Sequence, residues 1–256
     1  VALTQFGRMS DSEIVTPKNI AKDMIDMLPD MDNIEEVKFL DIASKQGEFA
    51  YAIYNRFAIV NEAVKNNIYS LPTSALCYEF TRKIYKLLGM PVENIIADFT
   101  TYDLIKENSE ERIKILKDMK FNVIVGNPPY QSQTKDTSDT PIYHLFMDIA
   151  YDCSPIVSTI TPARFLFNVG KTPKEWNTKM LNDDFFKVVW HNPNSEAIFP
   201  NVDITGGITV TLRNTFHQYG KIGTYTAFNE LNTITTKVLS QQPFSICSII
   251  YAQNKF

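Results

Sequence analysis

The chain has 256 residues, 44% of them hydrophobic, which suits one large α/β domain with a short appended segment. Lys and Arg number 25 against 29 Asp and Glu, giving a net charge of −4, which argues against an autonomous nucleic-acid-binding module but not against a catalytic domain. No apolar run approaches the ~18 residues that span a bilayer, and the first residues lack a signal peptide's basic start and apolar core, so no membrane partner is expected.

Thr16-Pro17 opens a helical pattern with Ile20, Met24 and Met27 on one face, ending near Pro29. A strand is expected at 37–41, then a loop holding Gly47, then a helix over 48–57. Residues 67–71 read as a second strand. Residues 74–88 read as a long helix with Leu76, Phe80, Ile84 and Leu87 in register. A short third strand over 95–98 precedes a charged helix at 110–119. The apolar run 121–125 is a fourth strand, 142–151 a helix, 156–161 a fifth strand and 176–181 a helix. Strands are expected at 185–190 and 208–212. Past residue 219 the rhythm fades, with 223–228 and 244–251 as possible strands.

Strands alternating with helices at this spacing imply a doubly wound, mostly parallel, Rossmann-like α/β sheet. Ligands of such sheets lie at the C-terminal ends of the strands. Cys77, Cys153 and Cys247 are widely spaced, as are His144, His191 and His217. They form neither a disulfide framework nor a metal-ligand pattern, so a reducing cytoplasm and no metal are expected. Val1 and Phe256 look like the limits of a domain cut from a longer protein.

The fourth strand runs directly into Asn127-Pro128-Pro129-Tyr130. The prolines remove two backbone donors and stiffen the loop, leaving carbonyls free to accept. Asn127 offers its side-chain oxygen, and the Asn127-Pro128 segment a carbonyl, to one amino group. Tyr130 can lie flat against the planar group that carries it. Such a site suits an exocyclic amine on an aromatic ring.

This motif resembles that of S-adenosylmethionine-dependent amino-group methyltransferases, especially the DNA adenine-N6 methyltransferases of restriction-modification systems. The resemblance covers roughly residues 8 to 215. It extends to Thr16-Pro17, where a helix start folds over the methionyl end of the cofactor. It extends also to the first strand and its loop, where Asp41, Ala43, Gly47 and Phe49 match. There Asp41 would bond the methionyl ammonium, and Gly47 would let backbone approach the ligand. Ile42, Ser44, Lys45 and Gln46 depart from the family pattern. Lys45 either points away or enters the methionyl pocket, where it pairs with the carboxylate or blocks binding.

After the second strand the family's ribose-binding carboxylate is replaced by Pro72-Thr73-Ser74, so Thr73 would serve the ribose less strongly. Glu79, a turn or two into the helix, is a weaker candidate. Asp98-Phe99 matches an Asp-Phe pair in which the carboxylate meets the cofactor adenine's amine and the ring packs beside the purine. Phe199, ahead of Pro200, resembles the second face of a sandwich closed by Tyr130 around a flipped base.

The resemblance therefore implies a catalytic domain over 1–218. Residues 219–256 would be its end, or the start of a truncated C-terminal segment leading to a missing target-recognition domain. The partners implied are double-stranded DNA and restriction-modification subunits. Two alternatives stand beside this: a protein-glutamine or ribosomal RNA guanine methyltransferase, and a catalytically decayed structural domain of a restriction complex.

Overall fold

A computed structural model describes residues 8–10, 13–132 and 140–241. Arg8–Ser10 (β1) and Glu13–Ile14 (β2) form a small antiparallel ladder. The chain then enters helix α1, Lys18–Asp26, with Pro17 at its N-cap. The main sheet is built from Phe39–Ser44 (β3), Ile68–Pro72 (β4), Val123–Gly126 (β5), Ile156–Pro162 (β6), Phe186–Asn192 (β7) and Ile208–Asn214 (β8). Its order is β4-β3-β5-β6-β8-β7. The first four strands run parallel, and β8 lies antiparallel between β6 and β7. This is the expected mostly parallel sheet, with one reversed strand near its far edge.

Alternation along the strands divides the core. Phe39, Val123, Val125 and Ile160 face one layer, packed by α1, by Glu48–Ile53 (α2), by Ala75–Leu88 (α3) and by Trp176 and Met180. Leu40, Ile42, Ile124 and Val157 face the other, under Leu116 of Glu110–Asp118 (α4) and under Phe146 and Ala150 of Tyr143–Cys153 (α5). Lys174–Leu181 (α6) places Trp176, whose indole N–H donates to Asp148 of α5 at 3.0 Å.

Several expectations need correction. The expected third strand reduces to a single bridge, Ile95 to Ser70. Its apolar stretch is only three residues long, and Thr101 draws the next turn back over the sheet by donating to Ile42 O at 2.8 Å and Leu71 O at 3.2 Å. In α3 the buried face is Cys77, Thr81 and Tyr85, whereas Leu76 and Leu87 are exposed. The inward polar groups are satisfied: Thr81 pairs with Ser44 at 3.0 Å and Tyr85 with Ser70 at 3.0 Å, so hydrogen bonding set a register that hydrophobicity alone misread. In α1 the buried face is Ala21, Met24 and Ile25, and Met27 is exposed.

The helix expected at 48–57 continues past α2 as a π-helical turn, Tyr54–Ala58. There Arg56 donates to the carbonyls of Ile25 and Leu28. No strand forms over 223–228; Tyr225 instead joins Phe167 and His191 in an aromatic cluster. Asn229–Ser240 (α7) follows, a helix hidden in the sequence by its threonines, which are weak helix formers. The expected strand at 244–251 and Cys247 lie outside the described residues.

Candidate functional site

The C-terminal ends of β3 and β5 meet closely. A Cβ on Gly126 would stand 3.1 Å from Ile42 Cγ2 and 3.5 Å from Asp41 Oδ1, so the residue before Asn127 has to be small. Sequence reasoning passed over Gly126, although a glycine directly before the motif was the available signal. Asn127, Pro128, Pro129 and Tyr130 are all buried. The Asn127 amide donates to Ile14 O at 2.9 Å, which ties the motif to the N-terminal ladder and fixes its side chain.

The loop after β3 is folded in upon itself. Ser44, Lys45, Gln46 and Glu48 are buried with Asp41. Lys45, 1% exposed, donates from Nζ to Asn127 O at 2.6 Å. It therefore points inward, between the cradle and the motif. Glu48, a residue that the sequence pattern had not marked, accepts from Gln46 N at 2.9 Å and Thr16 N at 3.4 Å, clasping the start of the N-terminal helix to the loop. Gly47 adopts φ +75°, and a Cβ there would press on Ile84 of α3 at 3.3 Å, so its requirement comes from backbone conformation and helix packing.

Burial first, and then the Glu48 carboxylate, push the Asp41 carboxyl up to about 8, against the pull of Lys45 and the Ala43 N–H. Thr16 Oγ1, Asp41 Oδ2, Asn127 Oδ1 and Tyr130 Oη are buried without a hydrogen-bond partner among the described residues. Each belongs to a residue singled out from the sequence. Unpaired buried polar atoms are costly, and these four of the eight found among the described residues make the surroundings of Asn127 a candidate ligand site. The acceptors Asp41 and Thr16 fit an ammonium group, and Asn127 fits an amine. Lys45 fits a carboxylate once it leaves the Asn127 carbonyl.

The remaining candidates lie around this centre. Thr73 is buried and donates to Cys77 Sγ at 3.3 Å, while its N–H donates to Ser44 O at 3.1 Å, so its side chain faces protein. Glu79 is on the surface in an ion pair with Arg82. Asp98 is exposed and Phe99 buried; both line a groove of about 460 Å³ with Tyr78, Ile96 and Met119. The Thr101 hydrogen bonds described above hold this groove against the ends of β3 and β4.

A cavity of about 260 Å³ opens beside Tyr130. Its lining includes Ile14, Tyr130, Tyr143, Arg164, Asn201 and Asp203. Its floor is braced by Tyr143, whose hydroxyl pairs with Thr172 at 2.8 Å; burial pushes this phenol up to about 12. Burial pushes the Tyr130 phenol upward as well. Phe199 is 1% exposed and lies within the core, and the residues after it, Asn201 to Ile204, form the wall. Val202 N donates to Phe199 O at 3.1 Å, so Phe199 supports that wall from behind. No cluster of metal-ligating side chains occurs among the described residues, and among them no helix is long and apolar enough to cross a membrane.

The sheet and its one reversed strand are those of the class I methyltransferase fold. A Listeria monocytogenes protein assigned to the class I S-adenosylmethionine-dependent methyltransferases shares it with a TM-score of 0.56 at 9% identity, over 91% of this chain and 72% of that one. The type I restriction-modification methyltransferase subunit of Streptococcus thermophilus shares it with a TM-score of 0.54 at 14% identity, over 91% of this chain and 53% of that one. Residues 54–199 match the Eco57I restriction-modification methylase family, and the chain belongs to that family. An uncharacterized adenine-specific methylase of Mycoplasma pneumoniae is 30% identical over 126 residues, 46% of this chain. The matched region is 30% of that relative's length.

Proposed function

We propose that this chain is the catalytic domain of a site-specific DNA adenine-N6 methyltransferase of a restriction-modification system, which methylates an adenine turned out of the duplex. The observation that carries this reading is Asn127. Its Nδ2 is committed to Ile14 O, so its Oδ1, buried and without a partner among the described residues, is held ready to accept from an amine. S-adenosylmethionine, when bound, supplies an electrophilic methyl group on a sulfonium.

The chain's own residues do the rest by position and polarity. Asn127 Oδ1 accepts from one N–H of the target amine. The second acceptor is a carbonyl of the Asn127-Pro128 segment, that of Pro128 for as long as Lys45 holds the Asn127 carbonyl. Two acceptors on one amino group draw its nitrogen out of the ring plane and free its lone pair. Pro129 keeps the loop stiff, and Tyr130 offers one face to the base. Val202 and Ile204, backed by Phe199, offer the other.

For the cofactor, Asp41 and the Thr16 hydroxyl receive the methionyl ammonium, with Pro17 fixing the helix start beside them. Gly47 shapes the loop, and Asp98 and Phe99 take the adenine end. Thr73 serves the ribose only after turning from Cys77. Double-stranded DNA and restriction-modification subunits are the partners this reading implies.

A second reading is favoured by one observation: Lys45 fills the cradle, as it would in a domain that has lost its cofactor and kept a structural role. Calorimetric titration with S-adenosylmethionine, beside an Asp98→Ala variant, separates the two. Saturable heat that the variant loses supports the enzyme, and transfer of tritiated methyl groups to DNA then follows. Absence of heat at millimolar ligand sinks the catalytic reading and leaves the structural one.

A further inference from the structure

We propose that Arg164, with Lys171 beside it, is the phosphate clamp for the nucleotide whose base enters the cavity at Tyr130. The proposal rests on the methyltransferase reading and names a contact that reading does not supply. Arg164 lines the 260 Å³ cavity and is part-exposed, so it stands on the rim.

Its stem is held from two sides. A Cβ on Gly170 would lie 3.1 Å from Arg164 Cδ, and one on Gly206 would lie 3.5 Å from Arg164 Cα. Both glycines adopt left-handed backbone, φ +80° and +87°, so two turns close around one side chain. Arg164 Nε donates to Thr205 O at 3.0 Å, which fixes the plane of the guanidinium. Its two terminal nitrogens make no hydrogen bond or ion pair among the described residues. A planar, always charged fork, oriented and left open, is the arrangement that receives a phosphate.

The surroundings agree. Lys171 also lines the cavity and is exposed, and it forms no ion pair among the described residues. The cavity's one carboxylate, Asp203, forms none either, so neither cation is neutralised within the described protein. The cavity is just below the ~300–1,000 Å³ typical of drug-sized ligands. It takes a single planar ring and leaves the attached phosphate at the rim, where Arg164 is. The overall charge of −4 gives little general attraction for phosphate, so a local contact carries more of it.

The test uses the whole chain and two fluorescent single-stranded adenine trinucleotides, one with phosphodiester links and one with uncharged methylphosphonate links. Anisotropy should show the phosphodiester form bound about tenfold more tightly, the worth of one charge-assisted hydrogen bond. Arg164→Gln, which keeps most of the packed stem, should erase that preference, and Arg164→Lys should restore part of it. The slope of log affinity against log salt should fall by about 0.7 in Arg164→Gln, one phosphate's share on a single strand.

Equal binding of the two trinucleotides by the unaltered chain overturns the clamp and leaves the base cavity standing. An undiminished preference in Arg164→Gln also overturns it. If neither trinucleotide binds, the base-cavity reading fails together with the clamp. Thermal melts of both variants accompany the titrations. If Arg164→Gln does not fold, Arg164→Lys decides: a preference for the phosphodiester form cut below tenfold supports the clamp, and an undiminished one overturns it.

Discussion

Replacing Lys45 by methionine keeps the length of the stem and removes its charge. In the folded chain Nζ donates to Asn127 O at 2.6 Å, and the buried acids Asp41 and Glu48 lie in the same cluster. A hydrogen bond from a charged donor is worth about 1.5–3 kcal/mol. Withdrawing its charge from beside the buried acids adds to this, up to the about 3–5 kcal/mol lost when a true buried charge pair loses one partner. Asp41 offsets part of this by keeping its proton, since its carboxyl already sits at about 8 and loses a downward pull when Lys45 goes. The net loss expected near pH 7 is about 2–3 kcal/mol, or about 5–10 °C in melting temperature for a chain of this size.

The loss should depend on pH in a stated direction. At pH 6 Asp41 is protonated in both proteins and needs no countercharge. By pH 9 the unaltered protein ionises it beside Lys45, and the variant has nothing to offer. The difference should therefore widen from pH 6 to pH 9. Urea titrations followed by the fluorescence of Trp176 and Trp190 measure it at both values. A difference that stays flat with pH, or no loss at all, refutes the idea that Lys45 neutralises this cluster.

Asp41 makes its own prediction. Its carboxyl is raised from the ordinary 3.8, so the folded state holds a proton that the unfolded state releases. The stability it contributes is full below about pH 4 and is lost as pH rises through about 8. Melting temperatures across that range should show the decline, and Asp41→Asn should flatten it. Asn127→Ala should lower the rate of methyl transfer by about 100- to 1,000-fold with cofactor affinity unchanged, the cost of one preorganised polar contact; an equal loss in affinity would make Asn127 a binding group only. Gly207→Ala would place a Cβ 2.0 Å from Asn192 O at φ +76°, so it should cost more than about 4 kcal/mol and yield little folded protein. Gly220→Ala, also at positive φ but in open space, should cost only about 1 kcal/mol in the same melts.

Much of the sheet was legible because strands buried on both faces are rich in apolar and β-branched residues. Phe39–Ser44, Val123–Gly126 and Ile156–Pro162 each fell within a few residues of expectation. The order of Thr16, Asp41, Asp98, Asn127 and Phe199 along the chain was likewise plain, as were the stiffness of the proline loop and the altered cradle around Lys45. These features are local: they depend on spacing, turn chemistry and the identity of a few neighbours.

What the tertiary structure decided is which groups meet across long separations. α3 turned its polar residues inward because Ser44 and Ser70 were there to bond them. The third strand shrank to a bridge because Thr101 reached back to two other strands. Phe199 went into the core and left its neighbours to form the wall. Lys45 found the Asn127 carbonyl 82 residues away, and Arg164 was enclosed by glycines from two separate turns. A side chain's periodicity says which face it shares, but its energy once buried depends on partners brought by other elements. Only the folded chain settles those pairings, because a buried polar group's cost is removed by a neighbour in space and not by a neighbour in sequence.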